Sequence, residues 1–178
     1  MKPWLKGLLV ATLHVMIVLS LGAKLLYDRG TLPRVWARTS PIDPDSPLRG
    51  RYVSLQLEVD GQHLQHRHVP AAPKSAAVWQ QWQGMQSVKL VVENSRLTAL
   101  PEELPSTNYV AVRETDQGFQ YRLHQPVDFY IPEGVPDPSR RGAGEELWVE
   151  VTVPPKGPPR PIRLGVMKEG KLTPLELR

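Results

Sequence analysis

From residue 52 onward the chain alternates without a break: Val53, Leu55, Leu57 and Val59 are apolar, and Tyr52, Ser54, Gln56 and Glu58 between them carry polar groups. Only a backbone of period two puts these two sets on opposite faces, so residues 52–59 predict a strand buried on one side and wet on the other. Asp60-Gly61 then supplies turn chemistry, and residues 62–69 read as the return strand of a hairpin. Ahead of the alternation, Pro41-Ile42-Asp43-Pro44-Asp45-Ser46-Pro47-Leu48-Arg49-Gly50-Arg51 is a proline-stiffened approach that turns into the strand at Gly50.

The same kind of run recurs at residues 87–93, 97–100, 108–114, 119–124, 127–131, 146–153, 162–166 and 172–177. Asp116-Gln117-Gly118 and Glu169-Gly170 are the expected turns of two further hairpins. The 19 prolines, roughly twice ordinary usage, fall between the apolar runs and disfavour long helices there. Residues 70–85, with Ala71, Ala72, Ala76, Ala77, Trp79 and Trp82, admit a short helix or an irregular excursion. Residues 137–144 and 154–161 are polar or proline-rich loops. The fold class expected is mainly β: an N-terminal transmembrane helix followed by an antiparallel β-sandwich or partly open barrel.

The helix is read from residues 7–23, which carry no formal charge, and from Leu25-Leu26-Tyr27 beyond Lys24. With Lys6 and Lys24 reaching toward headgroups, residues 5–27 can cross a lipid bilayer, and Trp4 and Tyr27 suit its two interfaces. A cleaved signal peptide would use the small residues of Ser20-Leu21-Gly22, but the apolar run continues past that point, so the anchor is preferred. Basic residues flank both ends, so charge does not orient the span. The organisation expected is an anchor at 1–29, a proline-containing connector at 30–47 and a β-rich soluble domain at 48–178.

Charge removes one class of partner. The 22 basic and 18 acidic residues include Lys2, Lys6, Lys24, Arg29 and Asp28 near the anchor, and without those five the balance is 18 to 17. A nucleic-acid binder needs a concentrated cationic face, so no nucleic acid is expected. The absence of cysteine excludes disulfides, thiolate metal sites and cysteine nucleophiles.

Several constellations can be drawn. His63, His66 and His68 lie near Glu58 and Asp60, yet an exposed hairpin face accounts for them without a metal, and no metal or cofactor is expected. Asp43 and Asp45 could act as paired carboxylates, but beside prolines they are more simply turn formers. Ser54 lacks a nucleophile elbow. Trp36, Trp79, Trp82 and Trp148, with Tyr52, Tyr109, Tyr121 and Tyr130, could pave a glycan or peptide surface or fill the core. His14 is an ionisable group inside the span, open to a contact with a partner.

The run Gly50-Arg51-Tyr52-Val53-Ser54-Leu55-Gln56-Leu57 with its Pro41-Ile42-Asp43-Pro44 lead-in, and the later Phe129-Tyr130-Ile131-Pro132-Glu133-Gly134 followed by Glu146-Leu147 and the Val149-Glu150-Val151 strand, resemble the bacterial membrane-anchored family named for its motif GDYXXLXY. The family's aspartate is Arg51 here and its last tyrosine is Leu57, which favours a structural or interaction role for the motif over an acidic catalytic one. On that resemblance the motif residues are Asp43, Gly50, Arg51, Tyr52, Leu55, Tyr130, Pro132, Glu133 and Gly134. It implies an envelope protein of unassigned activity, often encoded beside larger membrane proteins, in the bacterial inner membrane with its soluble domain in the periplasm. The partner expected is a polytopic membrane protein. A tethered hydrolase or peptidase would instead bring Asp43, Asp45, Glu133 or His66 into one cleft, and a binding module would expose its aromatic residues in a row.

Overall fold

The computed structural model describes residues 3–42, 52–64, 83–103, 106–115 and 118–177, and the chain forms two compact units, residues 1–32 and 33–178. The first is helix α1 (Pro3–Thr31), a few residues longer at each end than the expected span and long and apolar enough to cross a membrane. Its apolar side chains, Leu9, Val18, Leu19 and Leu26 among them, are exposed. The polar side chains Thr12, His14, Ser20 and Thr31 each bond a backbone carbonyl about one turn back, which lowers their cost in an apolar medium.

The second unit is a 10-stranded sheet of β1 (Arg34–Ile42), β2 (Tyr52–Val59), β3 (Gln83–Glu93), β4 (Arg96–Pro101), β5 (Asn108–Thr115), β6 (Gly118–Leu123), β7 (Val127–Tyr130), β8 (Glu145–Thr152), β9 (Arg160–Lys168) and β10 (Lys171–Pro174). The order is β10-β9-β8-β1-β2-β6-β5-β3-β4, with β7 also on β2, and each strand pair is antiparallel. The sheet curls until its last strand meets β2 again: the Asp60 N–H donates to the Leu97 carbonyl and the Ala99 N–H to the Asp60 carbonyl, both at 2.8 Å. The result is a half-barrel, the partly open barrel of the two architectures expected.

Two hairpins close through residues with positive φ. Asn94 (48°) and Ser95 (60°) join β3 to β4, and Glu169 (50°) and Gly170 (76°) join β9 to β10, the mirror-image turn that matches strand twist. The core is one cluster in which Leu55, Leu57, Val88, Ala99, Val149, Val151 and Leu164 are fully buried. Each buried leucine or valine contributes about 1.5–3 kcal/mol, so the inward sets of β2, β8 and β9 carry much of the fold.

Three expectations change. The segment read as an extended connector is β1, paired with β8 through Arg34–Arg38 and with β2 through Thr39–Ile42, in the middle of the sheet. Its inward residues are Val35, Ala37 and Thr39, too small and too mixed for the alternation to stand out in sequence. Residues 62–64 form a turn, and the rest of the expected return strand lies outside the described residues. Residues 83–85 open β3 rather than close an excursion, and residues 70–82 lie outside the described residues.

Candidate functional site

Strand β2 organises the polar face of the domain. Its first four residues pair with β7 in the register Tyr52↔Tyr130, Val53↔Phe129, Ser54↔Asp128 and Leu55↔Val127. Alternation sends Val53, Leu55 and Val127 into the core and leaves Tyr52, Ser54, Asp128 and Tyr130 on the other face. The two tyrosine rings lie 6.1 Å apart, tilted by 50°, within the range of favourable aromatic pairs. Beside them the buried Ser54 hydroxyl donates to Asp128 Oδ1 at 2.5 Å.

The two resemblance segments, which lie far apart in sequence, are therefore hydrogen-bonded neighbours. Tyr130 is 69% exposed and Tyr52 half-buried, so the pair offers an aromatic surface backed by the core. Pro132, Glu133 and Gly134 follow the buried Ile131 as an exposed turn, with Gly134 at φ 83°. Leu55 is fully buried, so its part in the motif is packing. Asp43, Gly50 and Arg51 lie outside the described residues, as do Asp45, His66, His68, Trp79 and Trp82.

Further along the same face, charges are laced across four strands. Arg38 on β1 reaches Glu146 on β8 at 2.8 Å and Glu58 on β2 at 3.7 Å, and the Trp148 indole N–H donates to Glu146 at 3.3 Å. Burial, with Arg113 nearby, lowers the Arg122 guanidinium to about 10; it stands opposite Glu58 in the register of β2 and β6. In the adjacent row, Arg163 on β9 bonds Glu150 on β8 at 2.6 Å and places its guanidinium 5.4 Å from the ring centre of Trp36 on β1. The Trp36 ring lies over Gly165, where a Cβ would come within 2.8 Å of it. Trp36 is thus a packing residue lying across the strands, half-buried and charge-capped.

At the far end of β2, Glu58, Asp60, Gln62, Phe119, Gln120 and Tyr121 line a hollow of about 440 Å³. A smaller hollow of about 240 Å³ adjoins it through Asp60 and Gln62, and contains the His63 imidazole 3.3 Å from the Glu93 carboxylate and an ion pair of Arg96 with Asp60 at 3.6 Å. Among the described residues no group of three or more histidines and carboxylates is disposed to hold a metal.

Set against the sequence reading, the structure joins Tyr52 to Tyr130 and leaves Glu133 on an exposed turn away from the core. The tryptophans and tyrosines weighed as a binding surface divide, where described: Tyr121 is buried, Trp36, Trp148, Tyr52 and Tyr109 are half-buried, and Tyr130 is exposed. Asp128 and Arg163 are not singled out in sequence, and Glu146 and Glu150 enter there only as part of a strand resemblance and not as members of a charged face. The alternation of Arg34, Trp36 and Arg38 and that of Glu146, Trp148 and Glu150 was the available signal for that laced face.

No curated protein and no solved structure matches the chain. The family model described as GDYXXLXY protein matches residues 14–164, a span that runs from within α1 through β1, β2 and β7 to the middle of β9. With the match covering most of the 178 residues, the chain belongs to the GDYXXLXY family.

Proposed function

We propose that this protein is a single-span accessory subunit of a multi-span protein in the bacterial inner membrane, with its half-barrel in the periplasm. The observation that carries this reading is α1, apolar on every side and exposed along its length, which in water would present far more apolar surface than a soluble protein tolerates. Only Leu32 and Pro33 separate α1 from β1, in place of the long connector expected. So short a tether suits a domain that works at the membrane surface. The polar face of β2 carries the exposed Tyr130 of β7 at one end and the Arg38, Glu58 and Glu146 charges toward the other, an aromatic and charged mixture of the kind found at interfaces.

The test is recovery of the full-length tagged chain from crosslinked membranes in mild detergent. A stoichiometric multi-span protein is expected to accompany it; recovery of the chain alone from well-solubilised membranes would end the proposal. Reporter fusions at the C-terminus and after Leu32 check the compartment. Activity of a cytoplasm-only reporter at the C-terminus would overturn the periplasmic assignment.

A further inference from the structure

Within residues 7–23 the His14 side chain carries a ring nitrogen that no described bond of its own helix satisfies. Thr12 and Ser20 donate their hydroxyl hydrogens to the carbonyls of Leu8 and Ile17 at 2.9 and 2.8 Å, and His14 Nδ1 sits 2.8 Å from the Val10 carbonyl. A carbonyl oxygen only accepts, so the proton of a neutral imidazole resides on Nδ1 and Nε2 is left as an acceptor. His14 is exposed on the helix surface, between Trp4 and Tyr27. At about 1.5 Å per residue it lies roughly 15 Å from Trp4, near the middle of a hydrocarbon core about 30 Å thick. No water is available there to pair with Nε2.

We propose that His14 Nε2 accepts a hydrogen bond from a donor side chain in a membrane-spanning helix of a different protein, and so sets the register of this chain against its partner. The inference rests on the accessory role proposed above and names the contact through which it works. A second copy of this chain fits poorly. Within residues 7–23 the polar hydrogens belong to Thr12, His14 and Ser20, and all three are committed inside the helix, so two copies face each other with acceptors and no donor. A serine, threonine, asparagine or glutamine at matching depth in another protein supplies what is missing.

The surface around His14 agrees with a helix as occupant. At helical spacing His14 shares its face with Gly7, Val10, Ala11, Ile17, Val18 and Leu21. A Cβ added at Gly7 would meet nothing within 4 Å, leaving space there for a neighbouring backbone to come close.

The experiment uses the full-length chain in its native membrane, with a photoreactive amino acid at position 10 or 18 on the His14 face, or at position 16 on the far side. Crosslinks to a multi-span protein are expected from 10 and 18 and not from 16. Recovery of that protein should fall roughly 3- to 30-fold for His14→Leu, which is about 0.6–2 kcal/mol. It should be largely kept by His14→Gln, whose amide oxygen still accepts. Leucine favours insertion, so a loss with His14→Leu cannot come from a failed anchor. Unchanged recovery with His14→Leu, a glutamine variant as weak as the leucine one, or crosslinks to a second copy would each overturn the inference while leaving the accessory role standing. Absence of any partner with the unmodified chain would overturn that role, and this contact with it.

Discussion

Gly61 lies against the ring of Tyr121: a Cβ added there would stand 2.3 Å from Cδ2, 2.5 Å from Cε2 and 2.7 Å from Cγ. Tyr121 is only 5% exposed and the atoms met include Cγ, which turning the ring does not move, and the neighbouring Asp60 holds the seam that closes β2 onto β4. Gly61→Ala is therefore expected to cost about 3 kcal/mol, the upper part of the overpacking range. Gly142→Ala meets only Glu145 at 3.7 Å, an ordinary contact, and should stay within about 0.5 kcal/mol. Denaturant midpoints of the full chain in micelles check both, and equal midpoints would refute the packing argument.

Arg163 and Glu150 share a short ion pair, but Glu150 is almost buried whereas half of the Arg163 side chain is in water. Removing the exposed partner strands a buried carboxylate and strips the cation from the Trp36 ring. Arg163→Met is expected to destabilise by about 2–3 kcal/mol, and Glu150→Gln by less than about 1, since the amide oxygen still accepts from Arg163 and the freed guanidinium is hydrated. The check is the order of the two unfolding midpoints; a larger loss with Glu150→Gln would contradict it.

Tyr130 and Asp128 occupy the same face of β7 and should respond differently. Asp128→Ala leaves the Ser54 hydroxyl, buried to 6% exposure, without its acceptor, at a cost of about 1–3 kcal/mol. Tyr130→Ala removes a mostly exposed ring and should change stability by less than about 1 kcal/mol. If that face meets a partner, Tyr130→Ala will nonetheless reduce crosslinked recovery of it. Unfolding curves and crosslinking yields, measured on both variants, separate the two effects.

The pH dependence of stability should contain a contribution from Glu145. The Lys168 ammonium that bonds its carboxylate, helped by a backbone hydrogen bond at Gly142 and by charge from Lys168 and Arg141, holds its pKa below the ordinary carboxylate range. A depressed folded-state pKa means that the unfolded chain binds the proton first on acidification, so the contribution is present above the unfolded pKa and lost as pH falls through the folded one. Glu145→Gln should flatten the acid limb of a midpoint-against-pH curve by lowering the midpoint slightly near pH 7 and leaving it little changed in acid, where the wild-type carboxyl is protonated as well. An acid limb of unchanged slope would show that Lys168 gives this carboxylate no advantage in the folded state.

Much of the β architecture was legible because strand alternation is local. Residues 52–59, 108–114 and 146–153 announce their faces within a few positions, and the structure places strands at all three. Strand β1 escaped because Val35, Ala37 and Thr39 present a weak inward pattern next to Arg34, Trp36 and Arg38. Gly61 was recognised as a turn glycine, yet its packing constraint is a ring contributed by β6, which no local pattern contains.

The candidate site divides in the same way. Tyr52 and Tyr130 could each be singled out from short motifs, and the apolar helix with His14 at its middle could be placed from composition and spacing alone, because those depend on neighbours along the chain. That Tyr52 packs beside Tyr130, that Ser54 meets Asp128, and that Arg38 bridges Glu58 and Glu146 was decided only by the tertiary structure. Strand register follows from which apolar faces must share one core, and that is a property of the whole curled sheet rather than of any segment in it.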